Sequence, residues 1–192
     1  EKSENARLYI TAHGVYDAYI NGIRVGEFVL APGTSQYNRR LQYQVYDVSN
    51  LLKRGLNEIV ISVGDGWWRG DTGYGGERNC FGTDLAVLCQ LEIEQEAVLI
   101  SDDSWYASQN GAIGRNDLMQ GEQYDARKEK IQDWHPVTEE NFGYETLVCS
   151  NSFDVVERER FTGKWVKTSK KESVIDFGQN IASYVEFGFY AH

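Results

Sequence analysis

Apolar side chains return at every second position along most of this chain, and that period constrains the fold more than any other feature. A strand sends successive side chains to opposite faces, so alternation marks a segment with one buried face. Leu8, Ile10 and Ala12 share a face in the run from Arg7 to Ala12. Val15 to Ile20 is a second run, followed by Asn21-Gly22 and then Ile23-Arg24-Val25. Asn-Gly between two such runs predicts a tight hairpin, because a type I′ turn needs positive φ at both central residues. Ile59, Ile61 and Val63 form another face, and Leu85, Val87, Cys89, Leu91 and Ile93 a further one. Ala97 to Ile100 follows, with a turn at Asp102-Asp103 before Trp105-Tyr106-Ala107. Many short strands with turn chemistry between them predict an all-β antiparallel sandwich. One helical turn is expected, at Asp47–Gly55, with a capping acid or hydroxyl in front, basic residues in the last turn and glycine at the stop.

Composition narrows what such a sandwich serves. The 192 residues carry a formal net charge of −10, which argues against nucleic acid, since phosphate binding needs a basic face. Acidity together with many Tyr and Trp suits neutral sugars or a divalent cation, and it equally suits a role in solubility alone. Cys80, Cys89 and Cys149 have no repeated spacing, so no disulfide framework or zinc site is expected. Cys89 is read as a buried small hydrophobe. No apolar run approaches the roughly 18 residues that span a membrane, and Glu1-Lys2-Ser3-Glu4-Asn5 has no signal-peptide pattern.

The segment from Gly64 to Thr83 breaks the period. It holds seven glycines with Trp67, Trp68, Tyr74 and Phe81, which points to a functional loop. In Asp65-Gly66-Trp67-Trp68-Arg69-Gly70-Asp71, an indole face can stack on a sugar while Asp and Arg grip its hydroxyls. A structural role is open to the same residues, one Trp capping the core and Asp65 capping a turn. Of the two rings, Trp68 is expected to be the freer, because neighbours on an extended path point oppositely. Further on, Glu122 and Tyr124 share a face and can line a sugar groove, with Asp117 close in sequence. Asp125 and Arg127 read as an ion pair holding a strand. No catalytic set is visible: there is no Gly-x-Ser-x-Gly elbow, and His13, His135 and His192 have no evident partner.

A set of short motifs in order resembles the N-terminal module of bacterial α-L-rhamnosidases, which are glycoside hydrolases. They are Ala6-Arg7-Leu8-Tyr9-Ile10-Thr11-Ala12-His13-Gly14, Tyr19-Ile20-Asn21-Gly22, Leu30-Ala31-Pro32-Gly33, Tyr37-Asn38-Arg39-Arg40-Leu41-Gln42-Tyr43-Gln44, Tyr46-Asp47-Val48, Gly64-Asp65-Gly66-Trp67-Trp68-Arg69-Gly70, Gly121-Glu122-Gln123-Tyr124-Asp125-Ala126-Arg127 and Asp176-Phe177-Gly178-Gln179-Asn180. Together they run from about residue 6 to 187. The chain departs from the family at its two ends, with little room for a strand before Ala6 and a close at Gly188-Phe189-Tyr190-Ala191-His192 that leaves the pattern.

The resemblance implies a jelly-roll, galactose-binding-like sandwich over residues 1–135. It implies a linker and the first strands of a second β-sandwich over 136–192. Members of the wider carbohydrate-binding group take L-rhamnose through a calcium ion. The expected sugar contacts here are Asp65, Trp67, Trp68, Asp71, Asn79, Glu122 and Tyr124, and the expected calcium ligands are Asp71, Asn79 and Asp84. Catalytic residues are expected in a later helical barrel, outside this sequence, so the module is read as non-catalytic. Its expected partners are a rhamnose-containing glycan and the parent's catalytic domain. The alternative is a structural module that packs on that domain without a ligand of its own.

Overall fold

A computed structural model describes residues 5–170 and 172–188. Residues 1–4 and 189–192, where the sequence departs from the family pattern, lie outside the described residues. The chain divides into two units, Glu1–Val156 and Glu157–His192.

The first unit is a sandwich of two sheets. Its strands are β1 (Ala6–His13), β2 (Val15–Ile20), β3 (Ile23–Arg24), β4 (Leu41–Asp47), β5 (Ile59–Gly64), β6 (Ala86–Ile93), β7 (Glu96–Ile100), β8 (Tyr106–Ala107), β9 (Ile113–Asp117), β10 (Gly121–Tyr124), β11 (His135–Pro136) and β12 (Leu147–Cys149). One sheet has the order β12-β4-β1-β6-β7 and the other β3-β2-β5. All pairs are antiparallel except β12 beside β4. Two small ladders, β9–β10 and β8–β11, flank the sandwich.

The alternation read from sequence is the alternation that is buried. Ala6, Leu8, Ile10 and Ala12 of β1 meet Ala18 and Ile20 of β2 and Cys89 and Leu91 of β6 in one core cluster, with Ile59, Ile61, Val63, Val87 and Ile93 packed against it. Burial pushes the Cys89 thiol up to about 12, so this cysteine acts as a small hydrophobe. The Asn21-Gly22 turn forms as expected, with φ 52° and 78° and with Ile20 opposite Ile23.

Two local expectations change. Asp47–Gly55 is a turn and not a helical one. The Asp47 carboxylate accepts from the Ser49 amide, Val48 N–H reaches Ala6 O, and Ser49 Oγ accepts from Ala6 N–H, so the segment is tied to β1 before a helix can close. The helical turn instead is α1 (Gly66–Arg69), inside the glycine-rich loop. There the Arg69 amide donates to Asp65 O at 3.3 Å, and the Arg69 and Asp65 side chains pair across the same turn.

The unit boundary also differs from the break read at 135/136. Leu147–Cys149 pairs in register with Leu41–Tyr43, and Val29 N–H bonds Val155 O, so the chain through Val156 belongs to the sandwich. The second unit carries one antiparallel hairpin, β13 (Lys164–Lys167) with β14 (Ser173–Asp176). Among the described residues, the β pattern at 184–187 pairs with none of the strands. Here the Tyr184 hydroxyl donates to Glu157, and Arg160 donates to Glu186.

Candidate functional site

The glycine-rich loop leaves the sandwich at the end where β5 stops at Gly64 and β6 begins at Ala86. It starts with a forced turn. Gly66 has φ +53°, and a Cβ there would sit 2.7 Å from Val15 Cγ1 and 2.9 Å from the Val15 nitrogen. Only glycine fits both the conformation and the space. The chain then makes α1, turns outward, and closes a small hairpin in which Thr72 and Glu77 exchange both backbone bonds at 2.9 Å. Tyr74 sits fully exposed at its tip. The returning limb runs back along α1, with Asn79 N–H on Arg69 O and Phe81 N–H on Trp68 O.

Charged side chains lock this path. The guanidinium of Arg78 meets three carboxylates: Asp71 at 2.8 Å and Asp117 at 2.7 Å through Nη1, and Asp65 at 2.8 Å through Nη2. Arg69 holds the other oxygen of Asp65 at 2.6 Å and donates to Thr83 O. Gln120 Nε2 donates to Asp71 Oδ2 at 2.6 Å. The Asp117 side chain is 0 % exposed and accepts from the amides of Asp71, Met119 and Gln120 as well as from Arg78. Burial by itself would raise this carboxyl. The three amides and the guanidinium outweigh it and bring it down to about 2. In turn Asp71, then Asp65 and Asp117, hold the Arg78 guanidinium above its ordinary value.

Beneath the loop lies an aromatic layer. Trp68 is 8 % exposed, stacked on His13 at 3.7 Å with planes 4° apart, and donates through Nε1 to Asp84 O. Tyr37 meets Trp68 edge-on at 5.6 Å, and Phe142 meets His13 edge-on at 4.5 Å.

The residues singled out from sequence are placed as follows. Asp65 and Asp71 come together through Arg78. Trp68 is core, contrary to the expectation that it is the freer ring. The path here is a helical turn, and its return under the loop brings Trp68 onto His13. Trp67 is half-buried against the same cluster. Asn79 is exposed at φ 59°. Glu122 and Tyr124 lie exposed on β10, and the Tyr124 hydroxyl donates to Glu129 at 2.6 Å. Asp125 and Arg127 form the ion pair read from sequence, and Asp125 also caps the short 3-10 turn Ala126–Lys128.

The residues read as calcium ligands are Asp71, Asn79 and Asp84. Both Asp71 oxygens have partners, Asp84 accepts from its neighbour Thr83, and among the described residues no group of three His, Cys, Asp or Glu side chains forms a metal-ligand set.

Arg78, Gln120 and the stacked His13 were missed by the sequence reading. Nothing in spacing marks Arg78, whose partner Asp117 is 39 residues away and arrives only through the β9–β10 turn.

A cleft opens at the opposite end of the sandwich, lined by Leu52, Ile59, Leu91, Ile93, Leu99 and Trp105 among others. Its lining is mixed, with Lys53, Arg54, Asn57, Glu94 and Tyr106 standing among the aliphatic side chains.

Comparison with known proteins agrees with the motif order. The family model described as the α-L-rhamnosidase N-terminal domain matches residues 1–166. An α-L-rhamnosidase of Streptomyces avermitilis is 43 % identical over 133 residues, which is 67 % of this chain and 13 % of that protein. The crystal structure of native α-L-rhamnosidase from Aspergillus terreus superposes with a TM-score of 0.87 at 36 % identity, covering 94 % of this chain and 22 % of that one. The Streptomyces avermitilis α-L-rhamnosidase solved in complex with L-rhamnose gives 0.84 at 36 % identity, covering 94 % and 19 %. The chain therefore spans less than a quarter of the length of each of these relatives. By sequence and by fold, this chain belongs to the α-L-rhamnosidase N-terminal domain family.

Proposed function

We propose that this module binds a terminal L-rhamnose, or a closely related deoxysugar, at the loop end of the sandwich. In this reading it serves a rhamnoside-cleaving glycoside hydrolase whose catalytic part lies outside this sequence. One observation carries the proposal. Two carboxylates, Asp65 and Asp71, are fixed by ion pairs in the same loop that carries the half-buried Trp67 and the exposed Asn79. Each carboxylate oxygen accepts two hydrogen bonds, so both acids retain acceptor capacity for sugar hydroxyls. Glu122 and Tyr124, exposed on β10, are the outer contacts of the same proposed groove. The fit of a related enzyme solved with L-rhamnose supports the choice of sugar.

Isothermal calorimetry tests it. L-rhamnose titrated into the protein is expected to give saturable heat with a Kd in the millimolar range or tighter, and Asp71→Ala to abolish it. Parallel titrations with calcium and with EDTA separate direct binding from binding through an added cation. No heat under either condition overturns the proposal. The fully exposed Tyr74 would then favour the second reading, in which the loop tip packs on the catalytic domain.

A further inference from the structure

We propose that Arg78, with Asp117 as its buried anchor, is the positioning residue of the sugar-binding loop: it sets where the carboxylates of Asp65 and Asp71 point. This inference rests on the binding reading above and deepens it, because Arg78 itself touches no sugar in this account.

Three carboxylates within bonding reach of one point repel one another unless a cation sits among them. Arg78 is that cation. The acids are largely withdrawn from solvent, with side-chain exposures of 13 % for Asp65, 9 % for Asp71 and 0 % for Asp117. Arg78 is itself 39 % exposed, and without it Asp65 keeps Arg69, Asp71 keeps Gln120 and Asp117 keeps its three amides, so what its removal takes away is the one group that joins all three acids.

The second step is geometric. The three acids come from three places: the residue before α1, the residue after Gly70, and the end of β9. Arg78 comes from a fourth, the returning limb of the loop. One planar guanidinium bonds two acids through Nη1 and the third through Nη2, which a point-charged ammonium does not reproduce. Asp117 is in turn fixed by the amides of Met119 and Gln120 within its own turn. Asp117 also accepts the Asp71 amide at 2.9 Å, so the loop's backbone and its cation are held by the same buried carboxylate. Order therefore runs from the β9–β10 ladder through Asp117 to Arg78, and from Arg78 to the two acids that face the proposed sugar.

The experiment compares wild type with Arg78→Gln and Arg78→Lys by amide hydrogen exchange and by L-rhamnose calorimetry. Exchange at Asp71, Thr72, Asn79 and Phe81 is expected to accelerate about tenfold or more in R78Q, while β1 amides such as Leu8 and Ile10 keep the wild-type rate. The Kd for L-rhamnose is expected to rise about tenfold, with R78K recovering only part of the loss. Unchanged loop exchange in R78Q overturns the inference. So does equal acceleration in β1, which would mean general destabilisation, and so does a loosened loop with an unchanged Kd. If wild-type protein gives no heat with L-rhamnose, the binding proposal fails, and the exchange arm alone decides whether Arg78 positions the loop.

Discussion

His13 shows how one residue sets the condition of the loop. It ends β1 at 9 % exposure, between the face of Trp68 and the edge of Phe142, and among the described residues its Nδ1 has no hydrogen-bond partner. Burial holds this imidazole below its ordinary value of 6.5. The unfolded chain therefore takes up the proton first as pH falls. The stability that depends on neutral His13 is complete above about pH 6.5 and is lost progressively below it. Melting curves from about pH 7.5 to about pH 5 are expected to fall more steeply for wild type than for His13→Gln. Parallel pH profiles would show that the stack tolerates the charge. Asp117 acts lower on the scale: its carboxyl, held at about 2, contributes stability above its unfolded value and loses it as pH falls toward 2. The sequence marked neither role. His13 reads as one more position in an alternating strand, and its stacking partner lies 55 residues on, across a loop whose path carries no period.

At the scale of elements, strands were legible and the loop was not. Alternation and the Asn21-Gly22 pair specify β1, β2, β3, β5 and β6, because a strand's burial repeats with its own geometry. The Asp47–Gly55 turn was misread because its caps are the same residues that tie it to Ala6. Inside the loop, α1 is only four residues long and has no apolar period to reveal it. What shapes it is packing against Trp68. Gly82 lies against that ring, and a Cβ added there would sit 2.6 Å from Trp68 Cζ2. Gly82→Ala must therefore push the indole from its stack. A loss of about 1–3 kcal/mol in urea unfolding is expected, the usual cost of overpacking a tight site. An unchanged midpoint would mean that Trp68 moves freely and that the layer under the loop is loose.

For the whole molecule, the two sheets do one thing for the loop end. They bring the ends of β1, β5 and β6 and the turn after β9 to one place, so that residues from 13 to 120 share a small volume. The acids and rings of that volume were partly named from sequence: Asp65, Trp67, Asp71 and Asn79 stand there. Their organisation was not, because ion pairs between distant turns depend on sheet order, which alternation does not encode. Family membership rests on sequence and fold together, and the proposed sugar binding belongs to this end of the sandwich. A titration of 15N-labelled protein with L-rhamnose, followed by amide and indole correlations, tests it most directly. The account predicts saturable shifts at the Trp67 indole N–H and the amides of Asp71, Asn79 and Glu122. Absence of shifts at saturating sugar, or shifts confined to the Leu52–Trp105 cleft at the opposite end, would contradict it.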